Sequence, residues 1–359
     1  MAERKGTDSL DRLHRRAKAL TGMPVTRRDA ERALAACLSD SDMWTVIRHS
    51  HAPLRYTTCL WDLMEKEGLL TTQDGRLTLT EEGKSLAEAL GIGPPMTFDC
   101  PHCDGRGVDV SSGLLKSLLE RFRQIAQERP TALQKFDQGY VTVETTIARV
   151  AVAWAKGDLT GKSVIVLGDD DLVSIALALT GVCRNVLVID IDRRLIRFIR
   201  QVARSERLTN LEAREHDLRN PLPDAWLGQF DTFLCDPTES FVGFKVFIDR
   251  GLLALKGAGS AGYFGLTRLE SSLSKWQRIQ QFLLSRGAVV TDIRDRFHWY
   301  ENWDYVEKMR AWDWLPAKER PRDIWYQSAL FRIELLRTPR ISNEPVVGDI
   351  FTDNEAATT

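Results

Sequence analysis

The sequence predicts an α/β protein: a doubly wound parallel sheet preceded by a smaller domain of helices and a hairpin. Three observations predict it. From residue 163 onward, apolar runs of strand length alternate with longer segments of helical period. Residues 91–95, Gly-Ile-Gly-Pro-Pro, break the chain before that region. The 359 residues, 43% hydrophobic and 28% charged, are enough for about two soluble domains. A net charge of −1, from 49 Lys+Arg against 50 Asp+Glu, excludes a generally basic nucleic-acid coat and an acidic solvating protein. No run approaches the ~18 apolar residues of a membrane span. The opening residues MAERKGTDSLDRLHRR carry no apolar core of a signal peptide, so secretion is not expected. Six cysteines do not make a disulfide scaffold, and a reducing cytoplasm is the expected compartment.

Residues 1–92 form the first domain. Residues 1–20 are polar and Arg-rich and read as a frayed or solvated helix. Thr26 can cap a helix running through Asp29, Ala33 and Leu34. A second helix covers 42–49. A third covers 55–67, with Leu60, Leu63 and Met64 at helical spacing, and Gly68 stops it. A turn at Asp74-Gly75, an alternating strand over 76–80 and a helix over 81–90 follow. This order resembles a winged-helix domain, whose third helix would read DNA. Trp61, Asp62, Glu65 and Glu67 give that helix little positive surface. Residues 1–95 hold 14 Lys+Arg and 14 Asp+Glu, whereas phosphate binding needs a local surplus of cations. A structural or dimerising role is expected instead, with a homodimer as the assembly and no nucleic-acid partner.

Residues 93–113 form a linker that carries Cys100-Pro-His-Cys103-Asp-Gly-Arg-Gly107. Such a pair makes half of a zinc-knuckle site. No second pair with this spacing exists in the chain, so a metal on Cys100 and Cys103 would need His102, a distant ligand or another subunit. The alternative is a tight interdomain turn.

The third segment, 114–340, opens with a helix over 114–127, a loop over 136–142 and a helix over 143–155. Strands are expected over 163–167, 185–189, 211–215, 232–235 and 260–265. Helices are expected over 172–180, 194–206, 244–255 and 271–286. Residues 288–292 and 328–336 read as a closing antiparallel pair. In such a sheet, ligands bind at the carboxyl ends of the strands.

Those strand ends carry acids. The first ends in Gly168-Asp169-Asp170-Asp171. A nucleotide-binding turn normally offers several glycines to an anion. Here one glycine precedes three carboxylates, which suits a cation. The second strand ends in Asp190-Ile191-Asp192, and Asp190, 22 residues after Gly168, fits ribose hydroxyls. The third ends in Glu215-His216-Asp217-Leu218, where a carboxylate can accept from an adenine amino group. The fourth ends in Asp236-Pro237-Thr238-Glu239, facing the transferred group. Together these placements resemble the adenosylmethionine-dependent transferases, so Gly168, Asp190, Ile191, Asp217 and Leu218 are expected to hold a nucleoside. A donor carboxylate ~5 Å from one of these aspartates would be opposed by about 3 kcal/mol at an effective dielectric near 20. A decarboxylated donor keeps only its ammonium and gains a similar attraction. The argument favours aminopropyl over methyl transfer and suits a polyamine acceptor.

Gly168-Asp-Asp-Asp-Leu-Val-Ser-Ile-Ala176, Phe136-Asp-Gln-Gly-Tyr-Val-Thr142, Cys100-Pro-His-Cys103 and Asp236-Pro-Thr-Glu239 with Gly251-Leu-Leu-Ala-Leu-Lys256-Gly257 resemble the branched-chain polyamine synthases, the N4-bis(aminopropyl)spermidine synthases. The resemblance implies a winged-helix-like domain joined to a methyltransferase-like fold. It also implies transfer of aminopropyl groups from decarboxylated adenosylmethionine to the secondary amine of spermidine, with methylthioadenosine leaving. Thr238 departs from the family pattern, where a second proline is common. No tightly bound cofactor is implied.

An aliphatic amine with a pKa near ~10 is protonated at pH 7, and freeing its lone pair costs ~4 kcal/mol. A carboxylate must therefore take the proton, while others hold the terminal ammoniums. Asp169, Asp170, Asp171 and Asp236 are the expected catalytic acids, with the base placed first at Asp171 or Asp169. Asp137, Glu144, Glu239 and Trp299 are expected to bind the polyamine. The aromatic-acidic run 296–315 could form a lid through cation–π contacts, or simply pack on the sheet. The tail, 341–359, is acidic and polar and is expected to be mobile. Two alternatives stand: a methyltransferase acting on an amine or nucleic acid, and a winged-helix regulator with a ligand-sensing domain.

Overall fold

The computed structural model describes residues 2–39, 42–96 and 100–359, with side chains from Ser9 onward. The first domain holds helices α1 (Ala2–Thr21), α2 (Arg27–Ala36), α3 (Met43–Ser50) and α4 (Leu54–Lys66), a hairpin of β1 (Leu70–Gln73) and β2 (Arg76–Leu79), and helix α5 (Glu81–Ala89). The polar α1 is not a solvated helix. Leu10, Leu13 and Ala17 recur every three to four residues, and all three are fully buried. Helix α4, which holds the place of the DNA-reading helix in a winged-helix domain, turns Tyr56, Leu60, Trp61 and Met64 into the domain core. There the Trp61 indole donates to Ala33 O at 3.0 Å.

Helices α6 (Gly113–Ala126) and α7 (Val143–Ala155) lead into the sheet. Its elements are β3 (Ser163–Leu167), α8 (Val173–Leu179), β4 (Asn185–Asp190), α9 (Arg193–Ser205), β5 (Leu211–Glu215), β6 (Thr232–Cys235), α10 (Phe241–Ala254), β7 (Ala261–Leu266), α11 (Leu273–Ser285), β8 (Ala288–Trp299) and β9 (Gln327–Leu335). The strands run β5-β4-β3-β6-β7-β9-β8, with the first five parallel and β9 antiparallel to both neighbours. β3 is buried along its whole length, as a continuous apolar run in a parallel sheet must be. Strand order reverses between β3 and β6, which opens a crevice above their carboxyl ends. β8 runs seven residues past its expected end at 292, through register shifts at Val290/Asp292 and Arg294/His298. Its charged middle and these shifts hide the alternation that would mark a strand.

Two expectations change. The run 296–315 does not stand apart as a lid. Trp303, Val306, Met309, Ala311 and Leu315 share one core with the first domain. The Trp44 indole donates to Glu319 O at 2.9 Å, and Leu54 N donates to Leu269 O at 2.7 Å.

The tail 341–359 is not a loose end. Ile350, Ala356 and Ala357 are buried. Asp353 pairs with the buried Lys275 at 2.9 Å. Glu355 accepts from Ser272 N at 2.5 Å and Ser272 Oγ at 2.8 Å. The acids that read as a solvated face are thus taken up as a helix cap and an ion-pair partner. No helix among the described residues is long and apolar enough to cross a membrane.

Gly262 and Gly251 let β7 and α10 close on the Phe233 ring. A Cβ on Gly262 would stand 2.2 Å from that ring. Gly262→Ala is therefore expected to lower stability by ~1–3 kcal/mol through overpacking, read as a shifted urea midpoint.

Candidate active site

The turn after β3 is built from backbone donors and acidic acceptors. Gly168 takes φ +71° and Leu172 φ +56°, and between them the chain reverses. The three aspartates part company there. Asp169, 1% exposed, turns inward and caps α8, accepting from Ser174 N at 3.2 Å. Asp171, 2% exposed, accepts from Val141 N and from Arg149 Nη1, both at 2.7 Å. Asp170 faces a cavity and accepts from Gly139 N at 2.9 Å. Only Asp170 of the three remains available to a ligand, so the base expected at Asp171 or Asp169 is not supported. One is a helix cap and the other is the partner of a buried guanidinium.

Two small cavities meet here. The first, about 70 Å³, is lined by Gly168, Ile189, Asp190, Ile191, Asp217, Leu218, Phe247 and Phe351 among others. All five residues expected to hold the nucleoside therefore lie on it. Asp190 also holds the turn, accepting from Asp169 N at 2.9 Å and Asp192 N at 2.6 Å, and burial raises its pKa to about 6. Asp217 is fastened by a fork of bonds from Arg219, and these bonds lower its pKa despite an opposing burial effect.

The second cavity, about 50 Å³, is acidic and aromatic. Asp137, Gly139, Asp170, Asp236, Glu239, Tyr300, Trp303, Tyr305, Tyr326 and Thr358 line it. Asp137, Gln138, Asp170 and Asp236 line both cavities and form their common wall. Burial raises the pKa of Asp137, Asp170 and Glu239 well above the usual range, and neighbouring carboxylates push the same way. Burial also raises Asp236 to about 6, against the pull of Arg149.

Two expected polyamine contacts are not on this cavity. Glu144 turns out from the first turn of α7 and pairs with Arg123 at 2.6 Å. Trp299 lies on the opposite side of the chain from His298 and Tyr300, as strand alternation requires. Its ring faces the Arg106 guanidinium at 4.9 Å.

Sequence reasoning missed Arg149, Tyr326 and Glu270. Arg149 had a signal: it is one cation in the apolar helix Val143–Ala155, and such a cation needs a buried partner. Glu270 had none. It is fully buried and accepts from Tyr326 Oη at 2.8 Å, Ala357 N at 2.6 Å and Thr358 N at 3.1 Å, which fastens the tail over the cavity.

The Cys100–Cys103 turn stands outside both cavities. Backbone N–H groups of His102 and Cys103 lower the Cys100 thiol pKa, and Gly107 N lies 3.3 Å from Cys103 Sγ. Among the described residues, no three His, Cys, Asp or Glu side chains gather into a metal cluster. An open groove of about 840 Å³ between α9 and β5 is lined by Arg200, Arg204 and Arg207 and holds none of the acids above.

Asp171→Ala is expected to cost ~3–5 kcal/mol, because it strands the buried Arg149. Asp170→Asn is expected to leave stability within about 1 kcal/mol, because it removes charge from a crowded site. Chemical denaturation of the two variants separates these outcomes.

Comparison with known proteins places this arrangement among relatives. Residues 117–358 match the family model described as the branched-chain polyamine synthase A C-terminal domain. The chain is 49% identical over 349 residues to an N(4)-bis(aminopropyl)spermidine synthase of Thermus thermophilus, covering 97% of this chain and 98% of that protein. It is 44% identical over 347 residues to the protein of the same name from Thermococcus kodakarensis, covering 96% and 98%. A crystal structure of the Thermus thermophilus branched-chain polyamine synthase, in complex with N4-aminopropylspermidine and 5'-methylthioadenosine, superposes with a TM-score of 0.92. That superposition is at 48% identity and covers 98% of this chain and 99% of the other.

Proposed function

Because the chain belongs to the branched-chain polyamine synthase family, we propose that it transfers aminopropyl groups from decarboxylated S-adenosylmethionine to the secondary amine of spermidine. The products are N4-aminopropylspermidine, then N4-bis(aminopropyl)spermidine, with one methylthioadenosine released per transfer. One observation carries the reading: the cavity lined by the residues expected at a nucleoside and an acidic, aromatic cavity share a wall made of Asp137, Gln138, Asp170 and Asp236. A donor in the first cavity and a polycation in the second would meet at that wall.

The reaction is an in-line displacement. The nitrogen lone pair attacks the propyl carbon next to the sulfonium, a C–N bond forms, and the C–S pair leaves with methylthioadenosine. Asp170 and Asp236 stand at the junction and are the carboxylates placed to accept the amine proton. Asp137 and Glu239 hold the terminal ammoniums, and the faces of Tyr300, Trp303 and Tyr326 take the methylene chain and its charge. A donor that kept its carboxylate would set it against Asp170, which disfavours the methyltransferase alternative.

Incubation with spermidine and decarboxylated adenosylmethionine, followed by mass spectrometry, should give products heavier by one and two aminopropyl units. Absence of both would overturn the reading. Asp170→Asn should lower kcat/KM at least about tenfold.

The charge crowding also sets a pH dependence. Asp190 and Asp236, raised to about 6, bind more protons in the folded than in the unfolded state between their ordinary carboxylate range and that value. Stability from these two groups therefore falls as pH rises through that window. A polycation in the acidic cavity offsets the penalty at Asp236 once that group ionises. Spermidine should raise Tm more at about pH 8 than at about pH 5 in differential scanning calorimetry; equal shifts would contradict the account.

A further inference from the structure

The reaction leaves a proton in a small cavity among the substrates. Thr358, held by Glu270, is part of the lining of that cavity. A proton left on Asp170 or Asp236 would weaken the site for the next ammonium. The structure offers it a route away from the substrates.

From Asp236 a line of hydroxyls runs along β8 and β9. Tyr300 Oη donates to Asp236 Oδ2 at 2.6 Å. Tyr300 Oη and Ser328 Oγ lie 3.1 Å apart, and Ser328 Oγ lies 2.8 Å from His298 Nδ1. His298 and Ser328 are cross-strand partners, with exposures of 0% and 2%. Tyr300 lines the acceptor cavity, whereas Ser328 lines a different one. That other cavity, about 30 Å³, also touches Thr267, Gln327 and Asp295, and the Asp295 side chain is 69% exposed. Its lining is mixed, with Leu266, Leu269 and Trp276 beside Arg48, Arg268 and Arg296, and it has room for about two water molecules. Gly265 supplies an independent sign that the line is built. A Cβ there would stand 2.3 Å from Asp236 Oδ1 and 3.1 Å from both His298 Nδ1 and Ser328 Oγ. A side chain at that position would collide with the Asp236 carboxylate and crowd His298 and Ser328.

We propose that Asp236, Tyr300 and Ser328 form a proton exit that joins the acceptor cavity to water in the second cavity, with His298 as the positioning residue for Ser328. The N–H bond of the acceptor breaks and an O–H bond forms at Asp236. Once Asp236 is protonated, the Tyr300 hydroxyl turns its proton from Asp236 Oδ2 to Ser328 Oγ; the Asp236 proton then passes to Tyr300 Oη as the Tyr300 proton passes to Ser328 Oγ and the Ser328 proton to water. Each hydroxyl ends with one proton, Asp236 returns to carboxylate, and the proton passes to water in the second cavity. Burial and the charges of Arg149 and Arg106 keep His298 neutral, so it orients the hydroxyl and does not store the proton.

This inference rests on the aminopropyl-transfer reading, and one assay tests the two separately. Initial rates with spermidine and decarboxylated adenosylmethionine are measured in H2O and in D2O. Ser328→Ala leaves the Tyr300–Asp236 bond in place. It is expected to lower kcat roughly tenfold or more, with both KM values within about twofold, and to raise the solvent isotope effect on kcat. In a Tyr300→Phe background the same change should cost nothing further. Tyr300→Phe keeps the ring, so it carries the test if Ser328→Ala does not fold. A Ser328→Ala enzyme with wild-type kcat overturns the exit. So does a slowed variant whose solvent isotope effect is unchanged, because that outcome makes the line a structural brace. Wild-type protein that forms no heavier polyamine would instead overturn the reading on which the inference rests.

Discussion

The site depends on one unequal balance of charge. Arg149 is the guanidinium buried among these acids, and its close bond goes to Asp171, while Asp236 lies farther off at 3.6 Å. Asp137, Asp170 and Glu239 line one small cavity beside them. Buried carboxylates without cations are costly, and neutral donors compensate them only in part. The backbone N–H groups of Gly139 and Thr267 and the hydroxyl of Ser271 supply that partial compensation. The remaining deficit is the shape of the ligand in negative: a chain bearing several ammoniums, spaced by methylenes that aromatic faces can hold.

Keeping such a space open requires rigid walls, and both terminal segments supply them. The first domain shares a single hydrophobic core with Trp303, Val306, Met309 and Trp325, so its helices press the aromatic segment against the sheet. The neutral charge balance of that domain suits a brace better than a reader of DNA. At the other end, Glu270 gathers two backbone N–H groups of the tail, and Lys275 holds Asp353.

Much of this was legible in the chain. The alternation of strand-length and helix-length segments predicted a doubly wound parallel sheet with a closing antiparallel pair, and the acids at four successive strand ends predicted where a cationic ligand would sit. All five residues expected at the nucleoside lie on one cavity, because a parallel sheet brings its strand ends to one edge whatever the side-chain packing. Errors arose where direction mattered. Glu144 and Trp299 sit within a few residues of the site and point away, one toward Arg123 and the other toward Arg106. The tail read as solvated because its acids resemble a mobile end until partners such as Lys275, 78 residues away, are seen.

By itself, then, the sequence determined the kind of chemistry: three consecutive aspartates after a glycine at a strand end cannot welcome a pyrophosphate, and the pattern of strands set the edge at which they gather. The tertiary structure alone decided how those aspartates divide their work. A turn through two left-handed residues sends Asp169 to a helix end and Asp171 to Arg149, and leaves Asp170 to the ligand. The reason is physical. Residue type and spacing constrain the local path of the chain. Which carboxylate is neutralised depends on a cation and backbone donors that reach it from other elements only when the core has formed.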